Sequence, residues 1–403
     1  VNMWITANGA LKRYKFERGI MRSVARLTYE QVERARNGML DNTTRSLPKD
    51  IIEPLYGAYS SFMKMRTSRG ALDLDLPETE VIIDTDGTIK RVQPSLRLDS
   101  HRVIEEFMIA ANVATAETLE STGYPVMYRV HDTPPPQKIE TLRQSLKTIG
   151  FSLAKGIITD PRSFHSMLKK AEDTENFRLV SELILRSQAK ASYHPLNVGH
   201  FGLALKSYCH FTSPIRRYSD IIVHRGLISA LKLGEGGFVG DEQKRFEEIG
   251  EHISATERRA VSAERDVLDR FAVAFVADRK GAIFPARISS ATRFGLFVTL
   301  DKTNTDGLVP ISTLPYDYYI HDDVKNCLIG ENTGITFHFG DRITVRLEEA
   351  NLVTGGLIFS VVEDNTFGNK RTKIGPKPGD KSRLKLKAVH HRQKKILGRR
   401  RAR

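Results

Sequence analysis

Cysteine is almost missing: Cys209 and Cys327 are the only two in 403 residues. Two thiols so far apart exclude a disulfide framework and a cysteine-based metal site, and they read as unpaired thiols in a reducing cytosol. Long apolar runs are missing as well. None approaches the roughly 18 residues of a helical bilayer span, and no basic-then-apolar secretion pattern opens the chain. Acids are scarce at one end. Residues 366–403 hold 15 Lys and Arg against Asp380 alone, which accounts for the whole formal charge of +14 and leaves the remainder balanced. A basic stretch without periodicity reads as a disordered arm for nucleic acid or another polyanion, or as a merely solubilising tail. The chain also opens at Val1 inside what reads as a strand, so it is expected to be part of a longer protein.

The length leaves room for two or three domains with a large core. Alternation over 3–6 and 13–17 around Asn8-Gly9 predicts a hairpin, and 81–92 around Asp86-Gly87 predicts another. Helices are expected over 28–38, 48–69, 98–121, 136–149, 160–171, 174–190 and 241–279, with strands over 71–76 and 126–132. Asp73 and Asp75 would share one solvated face of the first of these strands, which speaks against a metal site there. Beyond residue 280 the pattern changes. Short strands over 281–288, 294–300, 307–311, 339–347 and 356–361 give the count of a five-stranded OB barrel. The class is α+β.

Residues 210–225 read His-Phe-Thr-Ser-Pro-Ile-Arg-Arg-Tyr-Ser-Asp-Ile-Ile-Val-His-Arg. Ser213 before Pro214 predicts a helix start, since serine caps free N–H groups and proline has none to lose. Arg216 and Arg217 then fall in the first turn, where cations oppose the helix dipole at roughly 0.3–1 kcal/mol each. A bound anion reverses that sign. With His210, Thr212 and Ser213 nearby, the two guanidinium forks suggest a phosphate cradle. Ile215, Tyr218 and Ile222 are expected to face the core, and Arg216, Asp220 and His224 to form one polar ridge. The plainer alternative is a surface helix with an Arg–Asp pair worth roughly 0.3–0.5 kcal/mol.

The run HFTSPIRRYSDIIVHR resembles the signature of the RNB ribonucleases. The blocks ARLTYEQV (25–32), VIEEFMIAAN (103–112), GHFGLALKSY (199–208) and AERDV (263–267) match the same family in the same order. The resemblance implies an incomplete RNB domain over 1–279, an OB domain over 280–363 and a disordered basic tail over 366–403. It implies processive 3′-to-5′ hydrolysis of RNA, with Mg²⁺, to nucleoside 5′-monophosphates. On the matching positions, Arg216 meets the scissile phosphate, Tyr29 sets where the RNA end stops, and Glu105 and Glu264 lie near that end. His210 and Arg217 join the RNA contacts. An exposed carboxylate is the alternative reading of Glu105, and Glu264 reads equally as one of many helix charges. Leu74 stands where some relatives carry a stacking phenylalanine. The family's aspartate cluster is expected ahead of Val1, together with cold-shock-type RNA-binding domains. These residues therefore supply no metal site, and the chain alone is expected to be inactive.

The phrase FGLFVTL resembles the RNA-binding OB domain first described in ribosomal protein S-one. Phe294 and Phe297, with Phe284 beside them, are the candidates for stacking bases, or else barrel core. Pro310 replaces a histidine common among relatives. The partners implied are single-stranded RNA and the 3′ ends of structured RNA, with ribosome or RNA-decay factors for the tail. A monomer in the cytoplasm, with no membrane contact, completes the expectation. A non-catalytic RNA-binding protein on a degenerate RNB scaffold is the alternative.

Overall fold

The computed structural model describes residues 1–48, 50–74, 76, 78–154, 160–322 and 326–362. Asp75 and the basic tail lie outside these residues. In chain order the elements are β1 (Asn2–Ile5), β2 (Leu11–Lys15), α1 (Tyr29–Arg36), α2 (Asn42–Arg45), α3 (Ile52–Arg69), β3 (Thr79–Ile83), β4 (Ile89–Pro94), α4 (Asp99–Ser121), β5 (Tyr128–Val130), α5 (Pro136–Thr148), α6 (Arg162–Ala171), α7 (Phe177–Ser187), β6 (Ser192–His194), α8 (Tyr218–Leu231) and α9 (Phe246–Ala277). Then come β7 (Ile283–Thr292), β8 (Gly295–Leu300), β9 (Asp306–Pro310), β10 (Tyr319–Asp322), β11 (Cys327–Gly330), β12 (Thr336–His338), β13 (Arg342–Asn351) and β14 (Gly356–Val361). No helix among the described residues is long and apolar enough to cross a membrane.

Local chemistry explains several of these boundaries. Thr28 and Gln31 form a reciprocal capping box at the start of α1, so two otherwise orphaned N–H groups are satisfied at once. Among the described residues of 71–76 the expected strand does not form. Leu72 turns into the helical core, its N–H donates to Gly202 O at 2.9 Å, and its carbonyl accepts Arg66 Nη2 at 3.0 Å. With both backbone groups spent on distant partners, no ladder remains to be made.

Among the described residues the helical part buries three apolar clusters, the smallest of them Tyr56, Tyr59 and Val103 between α3 and α4. Of the two larger ones, the first joins α5, α6 and α7 through Leu146, Phe164 and Ile184, and the second joins α4, α8 and the start of α9 through Leu119, Ile222 and Phe246. Each such side chain contributes roughly 1.5–3 kcal/mol on burial. The barrel closes in the order β13-β14-β9-β8-β7. Its interior follows the period-two alternation: Leu296, Val298 and Leu300 of β8 point inward, while Phe297 between them is exposed.

An addition not expected from the sequence lies between β9 and β13. Strands β10, β11 and β12 form a separate antiparallel sheet. The barrel docks on the helical part through α7. Arg178 Nη2 donates to Asn304 Oδ1 at 2.7 Å, Arg186 Nη2 donates to Ser289 O at 2.9 Å, and Arg186 stacks over Phe339. Gly340 closes the joint: at φ +88° it presses so near Leu179 that a Cβ would lie 2.6 Å away. Helix α9 bridges the two parts, with Phe246 in the helical core and Val273 and Val276 in the barrel core.

Candidate nucleic-acid interface

The signature segment differs from the expected helix start. Residues 213–217 form a turn, Arg217 is the extended cap residue, and α8 begins only at Tyr218. The cause is the buried carboxylate of Asp220. It accepts the Ser213 N–H at 2.7 Å, Arg217 Nε and Nη2 at 2.8 Å each, and the Ser219 hydroxyl at 3.2 Å. Asp220 therefore pairs with Arg217, not Arg216, and the expected ridge dissolves. His224 instead donates from Nε2 to Phe211 O at 2.9 Å and stacks on the Phe211 ring. Ile215 and Tyr218, expected in the core, are 102% and 53% exposed, and only Ile222 is buried. Arg216 is exposed, and its guanidinium has no hydrogen-bond or ion-pair partner among the described residues.

The other end of the segment is held by a residue that sequence reasoning missed. Asn112 of α4, buried, accepts the Phe211 N–H at 2.9 Å and donates to the Tyr208 hydroxyl at 3.0 Å. Its signal is a lone amide in the otherwise small and apolar run from Ile109 to Ala114. His210 lies between these anchors, with Nδ1 2.9 Å from the Tyr193 hydroxyl. Burial, followed by the positive charges of Arg217 and Arg129, pushes its pKa down to about 2. His200, packed edge-on against Tyr208, is pushed down to about 3 by burial and by His131 and Arg129. Both imidazoles are neutral at physiological pH. The turn thus presents Arg216, without a carboxylate partner among the described residues, near the uncharged ring of His210, an arrangement that favours an arriving anion.

Tyr29 packs on the first turn of α4, and Glu105 projects from the next. Tyr29 stacks on His101 at 4.0 Å between centroids and remains 41% exposed. Glu105 pairs with Arg97 and lies 3.6 Å from Arg66 Nη1, while the neighbouring buried Glu106 takes Arg66 Nη1 at 2.6 Å. Asp73 faces Arg66, Arg97 and Arg102 at 3.6–3.7 Å, not open solvent. Glu264 stands apart from these groups, exposed on α9. Among the described residues no group of three or more His, Cys, Asp or Glu side chains is placed to hold a metal ion. Asp220, Glu105 and Glu106 are already neutralised by arginines. These carboxylates do not fit a divalent-metal site.

On the barrel, Phe294 is 64% and Phe297 42% exposed, and Arg293 stacks over Phe294 at 4.8 Å. Phe284 differs from them, being packed against the barrel core. Pro310 pairs with Gly295 across β8 and β9, next to Phe294. Leu74 packs against the helical core.

A family model described as "RNB domain" matches residues 1–233, and one described as "S1 RNA binding domain" matches residues 277–362. Ribonuclease R of Escherichia coli is 38% identical over 370 residues, covering 89% of this chain and 45% of that protein. The chain spans about half the length of the curated relatives it matches. The structure of Mycoplasma genitalium RNase R in complex with ribose-methylated single-stranded RNA superposes with a TM-score of 0.83 at 26% identity, covering 89% of this chain and 57% of that one. A yeast pseudonuclease shares the fold at a TM-score of 0.57 and 18% identity, covering 75% of this chain and 37% of that one.

Proposed function

The chain belongs to the RNB family, and from that premise we propose that it works within a hydrolytic exoribonuclease of the ribonuclease R type. The enzyme degrades RNA processively from the 3′ end and releases nucleoside 5′-monophosphates. The observation that carries this reading is the contrast between two adjacent arginines. Arg217 is consumed by Asp220 and braces the turn, and Arg216 is left free on it.

The braced turn holds the backbone of Arg216 in place, and its planar guanidinium, not neutralised by an internal carboxylate, is available to the charge that develops on a phosphorane. Tyr29, Glu105 and Glu264 are assigned to the terminal nucleotides, and His210 lines the approach as a neutral ring. Phe294 and Phe297 hold the strand upstream by stacking. Mg²⁺ supplies the metal chemistry in this reading. No carboxylate set among the described residues fits it.

Single-stranded RNA and the 3′ ends of structured RNA are the substrates, in the cytoplasm, for a monomer. The basic tail adds phosphate contacts or meets ribosome and decay factors. A non-catalytic RNA binder is the second reading, favoured by the fold shared with the yeast pseudonuclease.

Arg216→Ala in the full-length protein separates the two. Turnover is expected to fall by roughly 10²–10³ fold, the scale of a missing oxyanion donor, while affinity spread over many phosphates changes little. Arg216→Lys is expected to be poor as well, because a point charge does not replace a fork. Single-turnover rates and RNA binding measured together check both; unchanged turnover removes Arg216 from the chemistry, and no turnover in the unmodified protein favours the binder.

A further inference from the structure

The turn between β9 and β10 displays two tyrosines that no role described above uses. Tyr316 is 103% exposed and Tyr318 69%, whereas Tyr319 beside them is buried against Phe337. The turn is nevertheless built, not loose. Asp317, between the two rings, accepts the N–H groups of Tyr318 at 2.7 Å, Asn332 at 3.0 Å and Thr333 at 2.8 Å. It also accepts the Asn332 amide at 2.8 Å and the Thr333 hydroxyl. The Tyr319 hydroxyl donates to Pro315 O at 2.9 Å, and Tyr318 O accepts the Glu331 N–H at 2.8 Å. Gly330 is required by this lock, since a Cβ there would lie 2.4 Å from Asp317 Oδ2. Neither exposed tyrosine hydroxyl has a partner among the described residues.

This turn continues from the aromatic face of the barrel. The Ile311 N–H donates to Phe294 O at 2.9 Å. Tyr316 is the fifth residue after Ile311, a reach of at most roughly 18 Å. One extended strand can therefore touch both places. Two separate rings with free hydroxyl edges suit splayed bases better than they suit a continuous apolar partner surface. The guanidinium of Arg293 over Phe294 supplies the matching charge on that face.

We propose that Tyr316 and Tyr318 extend the stacking platform of Phe294 and Phe297 and bind bases of single-stranded RNA. The proposal rests on the RNA-binding reading above. Fluorescence anisotropy with an oligouridine of about 16 nucleotides, the upper end of an OB-fold site, tests it against an abasic strand of equal length and charge. Tyr316→Ala/Tyr318→Ala is expected to raise Kd for oligouridine roughly ten-fold or more, and to leave Kd for the abasic strand and Tm unchanged. Tyr316→Phe/Tyr318→Phe keeps the rings and is expected to keep the affinity. Equal oligouridine affinity in the alanine variant overturns the proposal and makes the turn a protein contact. An equal loss on the abasic strand, or a loss in the phenylalanine variant, overturns stacking. If the unmodified protein binds neither strand, the functional reading fails, and this proposal with it.

Discussion

Arg217 grips Asp220 at both carboxylate oxygens, Nε to Oδ2 and Nη2 to Oδ1, each at 2.8 Å. Asp220 sits seven residues beyond Ser213, whose N–H closes on the same carboxylate. One acid thus fixes the shape of the turn and decides which of two arginines remains available.

Asp220→Ala is expected to destabilise the protein by about 3–5 kcal/mol, because it leaves a partly buried guanidinium and a backbone N–H without their partner. Urea unfolding measures this. A loss below about 1 kcal/mol would show that something else holds the turn.

Asn112→Ala removes a donor to Tyr208 and an acceptor for Phe211. Leaving those buried groups unsatisfied costs about 1–3 kcal/mol each. Urea unfolding of the alanine variant measures this. A loss below about 1 kcal/mol would show that these two bonds contribute nothing measurable.

Acid should weaken the fold through His200 and His210. Their folded pKa values, about 3 and about 2, lie below the roughly 6.5 of an unfolded histidine. Below pH 6.5 the unfolded chain therefore binds protons that the folded one refuses. Stability is full above that point and declines toward pH 4, by up to about 1.4 kcal/mol per pH unit for each histidine. His210→Gln is expected to make that decline shallower. Identical slopes with and without the imidazole would mean that His210 titrates normally.

Deleting residues 370–403 is expected to weaken RNA binding and flatten its salt dependence, by roughly 0.7 in the log–log slope for each phosphate the tail no longer neutralises. Cleavage of a short unstructured RNA at saturation should hardly change. Titrations at several salt concentrations decide the matter, and equal slopes would assign the tail to another partner.

Period and alternation made most of the architecture legible. The barrel strands announced themselves because inward Leu296, Val298 and Leu300 alternate with outward residues. The sheet of β10, β11 and β12 did not, because its strands are three or four residues long among Asp, Asn, Thr and Gly that signal turns. Residues 71–76 carried a strand's alternation, but among the described residues no strand lies paired beside them. In the site, Ser213-Pro214 has the marks of a helix start, yet a tertiary bond from the Ser213 N–H to Asp220 moves the start to Tyr218. Local rules count three or four residues ahead and cannot see a partner at seven. Composition likewise cannot choose between Arg216 and Arg217 for Asp220; the geometry of the cap does.

Helix α9 has 32 residues, and its two ends are sunk in different cores. Between them, residues 258–267 are exposed on every face, and Glu264 lies in that span. At 1.5 Å per residue the helix is about 48 Å long. It therefore works as a ruler. In the proposed exoribonuclease, a strand held at once by the barrel and by the Arg216 turn would have to span the two cores that this helix joins. A strand shortened from its 3′ end would then leave the barrel at some length, so that grip would follow the remaining length and not the sequence.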